Sequence, residues 1–170
     1  MIGFMGSGKS AVGRILARRL GRRFVDTDRE VERAAGSTVA ELFARRGEQA
    51  FRRLEAAALR RAASVRGAVV SVGGGAVKRP SNVALMRRRG LVLHLAAPLR
   101  TLWQRARRDG LSKRPLLEGG GLERMGKLLR ERMPLYAKAR HIRIDAVGRP
   151  AAVASKVLEA LRRVSSPNEV

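Results

Sequence analysis

Apolar positions along this 170-residue chain alternate between two spacings. After Ser10, the residues Ala11, Val12, Ile15, Leu16 and Leu20 recur three and four apart, which predicts one helix with a buried face opening at Gly8 to Ser10. Gly21 punctuates it, and Phe24-Val25 reads as a short strand that ends in Asp26-Thr27-Asp28. Helical spacing returns over 39–46 and again over 48–65, where Phe51, Leu54, Ala58, Leu59 and Ala62 form the buried stripe. The β-branched run 68–72 predicts a buried strand, closed by Gly73-Gly74-Gly75. A helix over 80–89, a strand over 91–95 and a helix from Pro98 follow. Beyond a glycine-rich loop at 111–121 come a helix over 122–133, a last strand at 142–144 and a closing helix over 150–164.

Strands that alternate with helices predict an α/β fold: a mostly parallel sheet with helices on both faces. The chain reads as a single domain over 1–164 with a disordered tail at 165–170. One element is short. Only Met1 and Ile2 precede Gly3, whereas a strand usually needs about five residues. Either the natural start lies upstream or the sheet is built with a shortened first strand.

Composition narrows the classes. No apolar run approaches the roughly twenty residues of a membrane span, and no signal peptide is visible. The absence of cysteine rules out disulfides and thiolate metal sites and is compatible with a cytoplasmic location. The formal charge of +23 raises a polyanion partner as one reading. Yet only six of the 37 cationic residues are lysine, the arginines are spread over every helix, and no aromatic residues interleave with them. Biased composition explains that pattern better than a nucleic-acid surface, so neither a specific nucleic acid nor a membrane is expected as partner.

The chemistry concentrates in a few places. Gly3-Phe4-Met5-Gly6-Ser7-Gly8-Lys9-Ser10 matches the phosphate-binding pattern G-x-x-x-x-G-K-[ST] at every specified position. Glycines let successive N–H groups curl round an anion, Lys9 offers a point charge to the β/γ-phosphates, and the Ser10 hydroxyl can bind Mg²⁺. The predicted helix behind the loop adds its dipole. Asp26 and Asp28 stand at a strand's C-terminal end, where open α/β sheets bind ligands, although Thr27 or Asp28 could simply cap the next helix. Arg52 and Glu55 are three apart and can pair on one helix face, usually a surface contact of little consequence. The triple glycine permits close approach of a ligand to bare backbone. The cationic loop holding Lys113-Arg114-Pro115 is a candidate lid. His94, alone inside a strand, receives no chemistry.

Taken in order, the phosphate loop, Asp26-Thr27-Asp28, Phe51-Arg52 with Glu55, Gly73-Gly74-Gly75, Arg114-Pro115-Leu116-Leu117 and Arg132 with Tyr136 resemble the shikimate kinase family over nearly the whole chain. The resemblance implies a P-loop fold of the nucleoside monophosphate kinase type, a five-stranded parallel sheet with helices on both faces and a lid. It implies transfer of the γ-phosphoryl group of ATP to the 3-hydroxyl of shikimate, with ATP and Mg²⁺ required and a monomer expected. On that reading Gly6, Ser7, Gly8, Lys9, Ser10 and Ala11 hold the phosphates of ATP, and Arg107 and Arg149 border the adenine. Ser10 and Asp26 hold the metal. Asp28 meets the shikimate hydroxyls and activates the nucleophile. Arg52 and Arg132 bind the carboxylate, Gly73, Gly74 and Gly75 lie against the ring, and Lys9 and Arg114 act on the transferring phosphate. Ala11 departs from the family's usual threonine. Two further readings remain open at this point: a ligand-sensing domain derived from the same fold, and a kinase for another polyol acid such as gluconate.

Overall fold

Residues 1–110 and 120–165 are described by the computed structural model. The lid expected at 111–121 falls outside them except for Gly120 and Gly121, and so do Arg114 and the tail beyond 165. Helix α1 (Lys9–Arg19) is followed by β1 (Phe24–Asp26), α2 (Thr27–Ala35), α3 (Val39–Ser64) and β2 (Val69–Ser71). A 3₁₀ turn (Ala76–Lys78) leads to α4 (Pro80–Arg89), β3 (Leu93–Ala96), α5 (Leu99–Arg108), α6 (Gly121–Ala139), β4 (Ile142–Asp145) and α7 (Pro150–Ser165).

The two helices predicted either side of Gly47 run together as α3, with the break surviving as a kink: Gly47 sits at φ 72° and ψ 173°. The first half starts on a capping box in which Thr38 and Glu41 each satisfy the other's backbone N–H. Helix α6 extends six residues past the predicted Met133 end. Pro134 falls on its exposed side, and the continuation carries Tyr136 and Ala139 into the core.

Strands β1 and β2 pair in parallel, as do β3 and β4. Four strands form among the described residues, where five were expected. At the centre stand Met1 and Ile2, which make a bridge rather than a strand because the chain turns into the phosphate loop at Gly3. The Met1 nitrogen donates to Val70 O at 2.6 Å and Val72 N donates to Met1 O at 3.0 Å. On the other side Ile2 N donates to Leu93 O at 2.8 Å and Leu95 N to Ile2 O at 2.9 Å. Two residues thus tie both strand pairs to the mouth of the loop.

Helices cover both faces. Val12, Leu16 and Ala17 of α1 pack with Val153 and Val157 of α7 against Leu93, Leu95 and Ile144. On the opposite face Leu59, Met86, Leu102, Met125 and Tyr136, drawn from α3 to α6, close over Ile2, Phe4 and Val72. A third cluster, Val31, Leu42, Phe51 and Ala58, seats α2 on α3 beside the C-terminal strand ends. Each fully buried aliphatic side chain contributes about 2 kcal/mol. Among the described residues, no helix is long and apolar enough to cross a membrane.

Candidate active site

The loop between Gly3 and α1 takes the shape the motif demands. Gly6 has φ 76° and a Cβ there would run into the carbonyl of Leu102, so only glycine fits. Gly8 caps α1 with no side-chain hydrogen bond, and the first turn carries no acidic residue. The positive end of the helix therefore faces the loop unopposed. Lys9 Nζ donates to the carbonyls of Gly3 at 2.9 Å and Phe4 at 3.2 Å, which folds its charge back over the loop. Ser7 is buried, and its Oγ has no hydrogen-bond partner.

Asp26 does two jobs. It is the N-cap of α2, accepting from Asp28 N at 3.1 Å, and its second oxygen accepts from Ser10 Oγ at 2.5 Å. The sequence offered Thr27 or Asp28 as the cap. The last residue of β1 takes that place because the helix begins one residue earlier. Thr27 instead buries its hydroxyl, which accepts from Gly73 N at 3.0 Å and joins β1 to the glycine turn.

Relieved of capping, Asp28 points into the cleft with Oδ1 out of water and without a partner. Burial, with the charges of Asp26 and Glu55 beside it, pushes its carboxyl up to about 7 against the pull of Lys9. Gly73 lies behind the cleft wall. A Cβ on it would collide with Asp28 Oδ1 and Glu55 Oε1, so its hydrogen is what lets both carboxylates close in.

Arg52 and Glu55 do pair, at 2.8 Å, but not on an open surface: Glu55 is 1% exposed and the Arg52 side chain 17%. This face of α3 turns towards the cleft. Glu48 holds the other edge of the guanidinium at 2.9 Å, and the Phe51 ring lies 5.1 Å from it. Arg132, on α6, is 5% exposed with its guanidinium carbon 5.4 Å from the centre of the Phe4 ring. Arg52 lies against Gly75 and Arg132 against Gly74, so two guanidinium groups from different helices meet over one turn.

One cavity of about 1050 Å³ gathers these parts. Gly6, Ser7, Gly8, Lys9, Ser10 and Ala11 line it, with Asp28, Arg52, Gly74, Gly75 and Arg132 at one end and Arg149 at the other. Asp26 stands just behind Ser10. Arg107 is exposed and is not among the lining residues, whereas its helix neighbours Arg105 and Arg108 are. Arg105 donates to the carbonyls of Ala146 at 2.9 Å and Gly148 at 3.0 Å, fixing the β4–α7 connection that carries Arg149. Sequence reasoning missed Glu55, Thr27, Arg105 and Arg108 as parts of the site. Only the helical period of α5 could have signalled Arg105, one turn before Arg108.

The arrangement suits a phosphorylated ligand in the loop and a small anion beside it. Ser10 and Asp26 are hard oxygen donors in contact, a set that fits Mg²⁺, which takes few protein ligands and completes its shell with phosphate and water. Among the described residues no cluster of three or more His, Cys, Asp or Glu could hold a metal by itself.

The family model for shikimate kinase matches residues 5–162. A shikimate kinase of Symbiobacterium thermophilum is 54% identical over 145 residues, covering 85% of this chain and 83% of that one. The solved structure of shikimate kinase from Acinetobacter baumannii in complex with shikimate superimposes with a TM-score of 0.92 at 36% identity, over 98% of this chain and 93% of that one. A gluconokinase of Sinorhizobium meliloti superimposes with a TM-score of 0.58 at 21% identity over 96% and 90% of the two chains, a likeness of fold alone.

Proposed function

The chain belongs to the shikimate kinase family, and we propose that it transfers the γ-phosphoryl group of ATP to the 3-hydroxyl of shikimate, giving shikimate 3-phosphate and ADP on the route to chorismate and the aromatic amino acids. The observation that carries this reading is the convergence of Arg52 and Arg132 on Gly74 and Gly75 beside Asp28, at the mouth of a phosphate loop. Guanidinium forks match a carboxylate bidentately. A carboxylic acid bearing hydroxyls, held by those forks, presents a hydroxyl towards Asp28 and Lys9.

The transfer needs positioning and charge stabilisation more than covalent help. The acceptor oxygen attacks the γ-phosphorus as the bond from that phosphorus to the β,γ-bridging oxygen breaks. The acceptor's proton passes to the Asp28 carboxylate, whose raised basicity suits a group that must take a proton near neutral pH. Lys9 leaves the loop carbonyls to follow the γ-phosphoryl oxygens. Ser10 and Asp26 would hold Mg²⁺, which when bound neutralises charge on the phosphates. Gly6 to Ala11 hold the phosphate chain, and Arg149 borders the adenine end with Arg105 and Arg108. Arg114 and Arg107 are carried as phosphate and adenine contacts by the family resemblance. A monomeric, cytoplasmic enzyme belongs to the same reading and is carried by the family resemblance.

The test is ADP release by the purified chain with Mg-ATP, with shikimate, with gluconate and with neither. Turnover that depends on shikimate and disappears in Lys9→Met is the expected result. Turnover with gluconate instead, or shikimate binding without turnover, would sink the proposal.

A further inference from the structure

Tyr136 is the largest of the fully buried side chains, and its hydroxyl does not point to solvent. It donates to Gly74 O at 2.6 Å. Four residues earlier on the same face of α6 stands Arg132. A Cβ on Gly74 would lie 3.6 Å from the Tyr136 hydroxyl, 3.7 Å from Arg132 Nη1 and 3.2 Å from the carbonyl of Gly3. One point on the glycine turn therefore touches the phenol, the guanidinium and the phosphate loop. The ring is itself pinned: His94 of β3 stacks on it with centroids 4.7 Å apart and planes 27° apart. Burial pushes the phenol up to about 12 against the pull of the nearby Arg132 charge, so it stays a neutral donor at any working pH.

Resting on the function proposed above, we infer that Tyr136 is a positioning residue for the acceptor: its hydroxyl locks the Gly74 carbonyl and the Arg132 guanidinium into the one arrangement that receives the shikimate carboxylate. The ring packing serves the core, and any large apolar ring would supply it. The hydroxyl serves the site. Without it Arg132 loses a neighbour that fixes its fork, and the part-buried Gly74 carbonyl loses its donor. Both faults fall on acceptor binding. The ATP phosphates, bound by backbone N–H groups and Lys9, are held by a different set of atoms.

The experiment is Tyr136→Phe, which keeps the ring on His94, measured alone and with Arg132→Ala as a double-mutant cycle. The expected result is a KM for shikimate raised about tenfold, with kcat and the KM for ATP within about twofold of the parent. In the Arg132→Ala background the same change should add clearly less than in the parent, since the share that acts through Arg132 is gone and only the share through the Gly74 carbonyl is left. Calorimetric titration of shikimate without nucleotide reports the same loss as a weaker Kd. A lowered Tm with the KM for shikimate unmoved would overturn the inference and leave Tyr136 a core residue. Equal effects in both backgrounds would overturn the action through Arg132. Failure of the parent chain to turn over shikimate is a separate result: it would overturn the proposed function and this inference with it.

Discussion

Ser10 Oγ donates to Asp26 Oδ2 at 2.5 Å, joining the first turn of the phosphate helix to the end of the neighbouring strand. Both residues were candidates for the metal, and the contact brings their oxygens to one place. Asn caps a helix about as well as Asp, so Asp26→Asn should leave Tm nearly unchanged. It should raise the Mg²⁺ concentration needed for half-maximal turnover several-fold and lower kcat/KM by about tenfold to a hundredfold, the size of effect seen for charged hydrogen-bonding groups. Turnover titrated against Mg²⁺ checks this; an unchanged midpoint would move the metal elsewhere.

Asp28 links activity and stability in opposite senses. Its carboxyl, pushed by burial and by Asp26 and Glu55 from 3.8 up to about 7, makes kcat/KM rise about tenfold per pH unit below that value and level off above it. The folded chain prefers the protonated form. Its stabilising effect is thus full below the unfolded value of 3.8 and is lost as pH rises through about 7. Asp28→Asn should abolish turnover yet raise stability at about pH 8 by on the order of 2 kcal/mol, about 5 °C in Tm, and add almost nothing at about pH 4. Thermal melts at the two pH values decide it.

His94 titrates the other way. Burial, with Arg140, Arg143 and Lys9 nearby, lowers it from 6.5 to about 4, so the fold holds it neutral. Stability from this group is complete above 6.5 and is lost as pH falls from there towards about 4, while the unfolded chain takes up the proton. His94→Phe keeps a ring on Tyr136 and should remove this rise, leaving the opposite slope of Asp28 unopposed, so that stability falls with pH across that window. A profile unchanged from the parent's would mean that His94 does not titrate there.

Gly73→Ala tests the close approach of the two carboxylates. The methyl would meet Asp28 Oδ1 and Glu55 Oε1, so either the turn or both acids must shift. We expect a loss of about 1–3 kcal/mol from overpacking and a fall in kcat larger than any rise in the KM for ATP. Urea melts and steady-state kinetics together separate the two effects.

The sequence by itself determined a good deal. The phosphate loop is legible because its constraints are local: glycines for backbone shape, one lysine, one hydroxyl, and a helix that must follow. The alternation of strand and helix follows from apolar spacing, and even the kink at Gly47 shows as a glycine between two helical patterns. The strand that should precede the loop could not be judged this way. Met1 and Ile2 are too short to read as an element, and their place at the centre of the sheet depends on hydrogen bonds to Val70, Val72, Leu93 and Leu95, far away in the chain.

Tertiary structure alone decided which polar residues act together. Arg52 and Glu55 look like a surface pair until α2 and the glycine turn cover them. Asp26 rather than Asp28 caps α2, which releases Asp28 into the cleft. Arg105 and Arg108 face the cavity while Arg107 does not, a matter of how α5 is rolled. Tyr136 meets Gly74 across 62 residues of chain. Local spacing fixes which face of a helix is apolar. What the polar side chains on that helix touch is fixed only when the core closes and water is excluded, since burial and neighbouring charge then set both their partners and their protonation.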